Sequence, residues 1–380
     1  MATPPLLSVL LVNYNTAALT RSCVASLRAQ RVSRPDGSAG EIEILVVDNA
    51  SRLAERQALA GLDAGVLYND TNPGYGAALN QAAARAGGEF LLFSNPDTWY
   101  FPGALQTLLE GFHTLPRCGA VGPRRWWDLD REFLLPPSDP VTLLGYLQEA
   151  AAQVWPRWRR HWERRWLRRA LRYWRVRQPL AQSMLSGACI LTRREVLAVC
   201  GGFDERFHLY YEDADWCRRL RHGGYRLYYV PEAEVAHLYN QSARQQAEEA
   251  QRTFAASAAR YFCKHYGKRL WRITSTVMNN LRTRVRSQDG TRDYVALGTL
   301  ADPPRLSLPD AAQGACLLRL SPLPSCTPAI ARFLPAPLVS LPAPVWAQLG
   351  EGDFYAQLLS LPDLQLLGQW CWRKQNRTEQ

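Results

Sequence analysis

Between Leu185 and His237 the chain reads LSGACILTRREVLAVCGGFDERFHLYYEDADWCRRLRHGGYRLYYVPEAEVAH, gathering Asp204, Glu205, Glu212, Asp213, Asp215 and His237 among arginines and aromatics. Neighbouring carboxylates repel one another and resist burial, so such a cluster beside apolar strands points to a metal, a bound cation or a proton transfer. The run Glu212-Asp213-x-Asp215 also suits a solvated helix start, where acids meet the positive end of the helix dipole. Two upstream features favour chemistry.

The elements that must position these groups begin at once. Ser8–Asn13 (SVLLVN) and Glu41–Asp48 (EIEILVVD) are apolar, β-branched runs, and Ala17–Gln30 between them has helical spacing through Leu19, Cys23 and Leu27. Buried strands alternating with helices predict a parallel sheet with right-handed crossovers. Ligands of such sheets bind beyond the carboxyl ends of the strands, which places Asn13, Tyr14, Asn15, Asp48 and Asn49 at the crevice. Asp48 there suits a hydrogen bond from a base or ribose, or else an Asx turn over Asp48–Ser51. A further strand at Val66–Tyr68 leads into NPGYGAALN, Asn72 to Asn80, and another at Phe90–Phe93 into Ser94-Asn95-Pro96-Asp97. Gly74 and Gly76 are no dinucleotide loop, because the first strand ends in Asn-Tyr-Asn rather than a glycine turn. Asn95-x-Asp97 reads as an oxygen-donor cation site that leaves room for substrate phosphates, the alternative being an ordinary turn.

In order, VNYN, VVDNAS, NPGYGAALN, SNPDT, SGACILTRREV, GGFDERFHLYYEDADWCRRL and PEAEVAH resemble the family 2 glycosyltransferases, in particular the rhamnosyltransferase-like branch, over Ser8 to His237. The resemblance implies an α/β fold of the GT-A nucleotide-sugar class, a mostly parallel sheet flanked by helices. It implies a nucleoside-diphosphate sugar donor, inversion at the anomeric carbon, and a divalent cation, Mg or Mn. By position it implies base recognition by Asp48, metal and diphosphate contact by Asp97, and a catalytic base in the Glu212-Asp213 pair, assigned to Asp213. It adds His237 as a second metal ligand and Asn13, Asn15, Asn72, Asn80 and Asn95 to the nucleotide site. The chain departs from the pattern at Asn95, which replaces an Asp, and after Ser51, where Arg52 and Glu55 stand in place of a further Asp. The residue types suit the reaction on chemical grounds as well: a carboxylate can take the acceptor hydroxyl's proton as a metal neutralises the leaving diphosphate. Gly187, Gly201 and Gly202 would permit close approach or sharp turns.

With 380 residues, 47% of them apolar, the chain can build one large α/β unit plus additions. Nine cysteines without a Cys-x-x-Cys pair predict reduced thiols. No charged-then-apolar leader precedes the first strand and no apolar run approaches the roughly 20 residues that span a bilayer. A cytoplasmic enzyme, peripheral on the inner face of the membrane, is the expectation.

The net charge of +11 is carried almost wholly by arginine and is concentrated in Trp155–Arg177, WPRWRRHWERRWLRRALRYWRVR. On a helix Trp155, Trp158, Trp162, Trp166, Ala170 and Tyr173 form one stripe, with Arg160, Arg164, Arg168, Arg172 and Arg175 opposite. Three readings compete: contact with a membrane that carries a lipid-linked glycan acceptor, packing within the protein, and nucleic acid, the last disfavoured because no binding module accompanies the charge. Arg124, Arg125, Trp126 and Trp127 form a second basic and aromatic patch suited to a carbohydrate acceptor.

The expected organisation is a glycosyltransferase domain over 1–267 with an inserted helical segment at 124–182, a basic linker at 268–293, and a Pro-rich, β-containing appendage at 294–380. Prolines recurring from Pro303 to Pro344 exclude long helices and central strands there. A rival reading keeps the chain in the family but as a degenerate, membrane-associated binding or scaffolding subunit; Asp97 and Asp213 favour catalysis.

Overall fold

In a computed structural model, which describes residues 4–238, 247–285, 293–306, 314–336 and 340–375, the run Leu7–Asn13 is a strand buried at every position. It lies between Ile42–Asn49 and Phe90–Ser94, parallel to both, and Gly65–Asn69 adds a fourth parallel strand beyond Ile42–Asn49. Strands covered on both faces need no polar alternation, which is why these segments read as continuous apolar runs. The helices Ala17–Arg28, Tyr75–Arg85 and Ala104–Thr114 contribute Leu27, Leu79 and Leu108 to the same core. The α/β class expected from the sequence is therefore found.

Register places the polar strand ends together. Asn13 is paired with Asp48, and Leu11 with Ser94, so Asn95–Asp97 leave the sheet at the same edge. The other half of the sheet is antiparallel: Cys189 pairs with Ser94, and the short strand Thr98–Tyr100 pairs with Val235–His237, setting Thr98 opposite His237. That pairing carries His237 to the rim from far along the sequence. The helix Glu212–His222 packs Trp216, Cys217 and Leu220 into the core. A smaller cluster of Phe207, Ala214, Tyr261 and Phe262 ties its start to the helix Ala247–Tyr266.

The chain divides into two compact units. The first is Met1–Arg125, Ser138–Tyr146 and Val176–Ser275; the second is Trp126–Pro137, Leu147–Arg175 and Thr276–Gln380. The basic tract after Gly267 is helical from Lys268 to Val285. Within the second unit a five-stranded sheet runs in the order Val295–Leu300, Leu366–Lys374, Gly352–Ser360, Cys316–Ser321 and Ile330–Leu334. Its core joins Leu318, Leu358, Trp370 and Trp372 to Trp127 and Phe133. The prolines do not exclude a central strand as expected: Cys316–Ser321 is paired on both sides because no proline falls inside it, Pro322, Pro324 and Pro328 lying in the turn that follows, where no ladder hydrogen bond is lost, while Pro342 and Pro344 open a short helix. Pro309 and Pro337 lie outside the described residues.

The Arg- and Trp-rich stretch forms the helix Pro156–Arg175 in this unit. Its aromatic stripe is divided between two environments. Trp166, Ala170 and Tyr173 are buried and the Trp174 indole donates to the Leu135 carbonyl at 2.9 Å, whereas Trp155 and Trp158 stay 54% and 40% exposed. Among the described residues no helix is long and apolar enough to cross a membrane.

Candidate active site

Asn13 and Asp48 are both fully buried at their strand ends. Asn13 Nδ2 donates to Asp48 Oδ1 at 2.8 Å and to Ser51 Oγ at 3.1 Å, and the hydroxyls of Thr16 and Thr20 donate to Asn13 Oδ1. Asp48 Oδ2 accepts from the Ser51 N–H, the Asx-type contact anticipated above, and from Arg56 Nε at 2.9 Å. Arg56 lies over the half-exposed ring of Tyr68, 5.6 Å from its centroid. Asn15, at φ 55°, donates its N–H to Ser51 Oγ and accepts from the Arg52 N–H. Glu55 accepts the Ala17 N–H at 2.8 Å, so the departure after Ser51 places its acid on the start of the helix Ala17–Arg28.

The segment Asn72–Gly76 docks on 203–208. Gly74 has φ 103°, and a Cβ there would stand 2.6 Å from the His208 carbonyl oxygen, which also accepts the Tyr75 N–H at 2.8 Å. Only glycine combines that φ with that approach. Asn72 Oδ1 accepts from the Gly74 N–H and from Asn49 Nδ2. Asn80 Nδ2 donates to the Phe203 carbonyl and to Glu205, and its Oδ1 accepts the Phe203 N–H. The Asn80 amide thus holds the acidic segment in place.

At the neighbouring strand end, Tyr75 OH donates to Asn95 Oδ1 at 2.7 Å, and Asn95 Nδ2 lies 3.4 Å from His237 Nε2. The same imidazole nitrogen is 3.2 Å from Asp97 Oδ1. Burial raises the Asp97 carboxyl, but the His237 imidazole outweighs it and holds the group below the ordinary range. Burial among Glu212, Asp97 and Asp213 lifts the Tyr75 hydroxyl well above its ordinary value, so it stays protonated and donates. Two consecutive residues, Gly187 and Ala188, link this corner to the acidic helix. Ala188 O accepts from the Asn95 N–H at 3.0 Å and from Thr98 Oγ1 at 3.2 Å, while the adjoining Gly187 N–H donates to Asp213 Oδ2 at 2.9 Å. A Cβ on Gly187 would press on Asp213 Cβ and Oδ2, both at 3.2 Å.

The acidic cluster separates into two sets. Asp204 is held by the cations Arg206 and Lys264, and the fully buried Asp215 by the cations Arg219 and Lys264 and by a contact to the His265 ring; Lys264 and His265 fasten the helix Glu212–His222 to Ala247–Tyr266. Glu212 and Asp213 have no such cations in contact. Glu212 is buried with no hydrogen-bond partner for Oε2, whereas Asp213 accepts the Gly187 N–H and, at 2.7 Å, the Ala214 N–H. Two consecutive non-glycine residues with left-handed backbone, Tyr210 at φ 69° and Tyr211 at φ 68°, lead into the pair. Such strain persists only where packing over-determines it. The ring of Tyr211 does pack against Phe254 and Tyr261.

A family model described as glycosyl transferase family 2 matches residues 8–201. The chain is 31% identical over 249 residues to the N-acetylglucosaminyl-diphospho-decaprenol L-rhamnosyltransferase of Mycobacterium tuberculosis, covering 61% of this chain and 75% of that protein. The chain belongs to the family 2 glycosyltransferases. It is a transferase of the rhamnosyltransferase-like kind expected from its motifs. An O-antigen biosynthesis protein of Myxococcus xanthus is 29% identical over 274 residues, which are 70% of this chain and 19% of that protein. A mannosyltransferase from Pyrobaculum calidifontis, solved in complex with GDP-Man and Mn2+, gives a TM-score of 0.43 at 17% identity over 76% of this chain and 77% of that one.

In this glycosyltransferase, sequence reasoning missed Arg56 and Tyr75, and named Arg125 only as part of a basic and aromatic patch. Arg56 and Tyr75 lie inside or next to the motifs that were read, but nothing in linear order shows that one meets Asp48 and the other Asn95. Arg125 is buried, and its charge favours the ionised form of Asp213. The protonation of the pair follows from its surroundings. Burial raises both carboxyls; Asp213 is opposed by the Gly187 and Ala214 amides and Arg125, while burial and the adjacent Asp213 push Glu212 up to about 8. At neutral pH Glu212 is therefore protonated, while the two amides and Arg125 favour the ionised form of Asp213 against its burial.

A stability prediction follows with a definite sign. Because the folded-state value of Glu212 lies above the ordinary 4.5, its favourable contribution is complete below pH 4.5 and is lost as pH rises through about 8. Glu212→Gln imitates the neutral acid at every pH. It is expected to melt with the parent below pH 4.5 and above the parent beyond pH 8, by on the order of a few kcal/mol in thermal denaturation. A parent lead at high pH would contradict the assignment.

Proposed function

We propose that this glycosyltransferase moves a sugar, L-rhamnose in the first instance, from a nucleoside-diphosphate donor to a hydroxyl of a growing polysaccharide or lipid-linked glycan, with inversion. The carrying observation is Asp213: a carboxyl group whose two oxygens are held by two backbone N–H groups, beside Glu212, and joined through Gly187–Ala188 to the Asn95–Asp97–His237 corner. Asp213 takes the acceptor proton as the acceptor oxygen bonds to the anomeric carbon and the bond to the diphosphate oxygen breaks, the electron pair leaving with the diphosphate. A single in-line displacement inverts the centre and needs no covalent sugar intermediate. Glu212, neutral, donates a hydrogen bond to the acceptor without competing for its proton.

Among the described residues no cluster of three or more His, Cys, Asp or Glu could hold a metal ion. The Asp97 and His237 pair nonetheless fits a divalent cation, Mg2+ or Mn2+, completed by donor oxygens. Asp97 is buried and held ionised, its Oδ1 lies 3.2 Å from His237 Nε2, and a carboxylate with an imidazole suits such an ion. Bound there, the ion would supply charge neutralisation for the departing diphosphate. Asp48, with Arg56 across it, and Asn15 and Asn72 form the nucleotide end; Tyr75 orients Asn95, while Asn13 and Asn80 position their neighbours.

The rhamnose donor and lipid-linked acceptor are supported by the name of the mycobacterial relative. A cytoplasmic enzyme peripheral on the inner face of the membrane is supported by the exposed Trp155 and Trp158 beside exposed Arg157, Arg160, Arg164, Arg165 and Arg168. The test is thermal stabilisation by dTDP, UDP and GDP with and without Mn2+, since a ligand of the folded state must raise its stability. One nucleotide is expected to raise the melting temperature, more strongly with metal. No nucleotide effect would favour a scaffolding subunit.

A further inference from the structure

The second unit holds a cavity of its own, about 300 Å³, lined by Trp126, Asp130, Arg131, Glu132, Arg332 and Phe333 among others. Its walls are built. Asp128, buried, accepts the N–H groups of Glu132 at 3.0 Å and Phe133 at 2.8 Å, which closes the loop between Trp126 and Leu134. Trp126 bridges to Leu134, and Leu134 to Ala331, so the loop extends the edge of the five-stranded sheet beside Ile330–Leu334. An ion pair from Glu132 Oε1 to Arg332 Nη2, 2.7 Å long, fastens loop to strand.

That pair leaves one group of each kind unused: Glu132 Oε2 and Arg332 Nη1 have no hydrogen-bond partner. Burial lifts the Glu132 carboxyl above its ordinary value despite Arg332, which marks a poorly solvated acceptor. Arg131 and Arg332 are balanced by Asp130 and Glu132, so the lining carries no excess positive charge of the kind that selects phosphate. The rings of Trp126 and Phe333 supply apolar surface. A ligand suited to adjacent donor and acceptor groups beside aromatic rings has vicinal hydroxyls on one face and C–H groups on another. The volume is at the small end of ligand sites.

We propose that this cavity binds one neutral saccharide unit of a glycan. The proposal deepens the glycan-acceptor reading, on which its purpose rests, by giving such a chain a hold in a unit that carries none of Asp48, Asp97 and Asp213.

The test is saturation-transfer NMR on the full chain with the methyl glycosides of L-rhamnose, D-glucose and N-acetylglucosamine at millimolar concentration. At least one is expected to give a saturable signal, strongest at its C–H protons, which Trp126→Ala abolishes. Arg131→Gly serves as the second variant, because Arg131 is exposed at φ 58°, a conformation glycine adopts freely, and its loss should not unfold the loop. It is expected to weaken the signal about tenfold, the size of one charged hydrogen bond. Silence with all three glycosides, or a signal unchanged in both variants, would overturn the proposal. The nucleotide melting shift reads the transferase cleft separately, so either reading can fail while the other stands.

Discussion

Asp213→Asn will lower kcat by about 10²–10⁴-fold, the usual worth of a positioned general base, while the nucleotide-dependent melting shift persists. Asparagine fills the same space but cannot take a proton from an attacking hydroxyl. Its amide can accept from only one of the two backbone donors, Gly187 N–H and Ala214 N–H, so the other loses its partner. A fall in stability of about 1–3 kcal/mol accompanies the loss of turnover. The two effects are separable by measuring kcat and the nucleotide shift on the same folded sample. Loss of the shift together with activity would place Asp213 in donor binding; retention of activity would remove it from the reaction.

The second large effect is expected at Asp97. Asp97→Ala leaves His237 without its carboxylate neighbour and deprives the proposed cation of its single charged ligand in this corner. Stabilisation of a departing diphosphate by a metal is worth several kcal/mol, so transfer is expected to fall by at least about a hundredfold. The diagnostic readout is metal linkage. In the parent, Mn2+ should increase the nucleotide-induced melting shift; in Asp97→Ala the shift should be the same with and without Mn2+. His237→Ala should weaken metal response in the same direction with less loss of turnover, because the carboxylate that carries the charge remains. A metal response undiminished in Asp97→Ala would move the ion elsewhere.

These two residues have different structural histories. Asp97 stands directly after a buried strand, and a strand end beside a parallel neighbour is where such a sheet presents its ligands. Its importance can be read from local order. Asp213 sits in a dense acidic run whose members look alike in sequence, yet Asp204 and Asp215 are neutralised by Arg206, Arg219 and Lys264 while Glu212 and Asp213 are not. Lys264 and His265 reach Asp215 only through the packing of Tyr261 and Phe262 on Phe207 and Ala214. Which carboxylates stay available is therefore a tertiary property.

The Arg- and Trp-rich helix gives the same lesson from the other side. Its three-and-four spacing determined a helix with one aromatic stripe, and Pro156–Arg175 is that helix. Spacing cannot say what the stripe meets. Trp166 and Tyr173 are interior side chains, Trp162 is half-buried, and Trp155 and Trp158 are left for solvent, a partner or a lipid surface.

By itself the sequence determined the α/β class, the strand ends that carry Asn13, Asp48 and Asp97, and the family, because these depend on apolar periodicity and on motifs that are contiguous. Only the tertiary structure decided that His237 lies against Asp97, that Arg56 covers Asp48, that Tyr75 reaches Asn95, and that Glu212 keeps a proton at neutral pH. Those outcomes depend on strand pairing across long separations and on burial. Both are properties of which segments exclude water together, and neither is encoded at any single position.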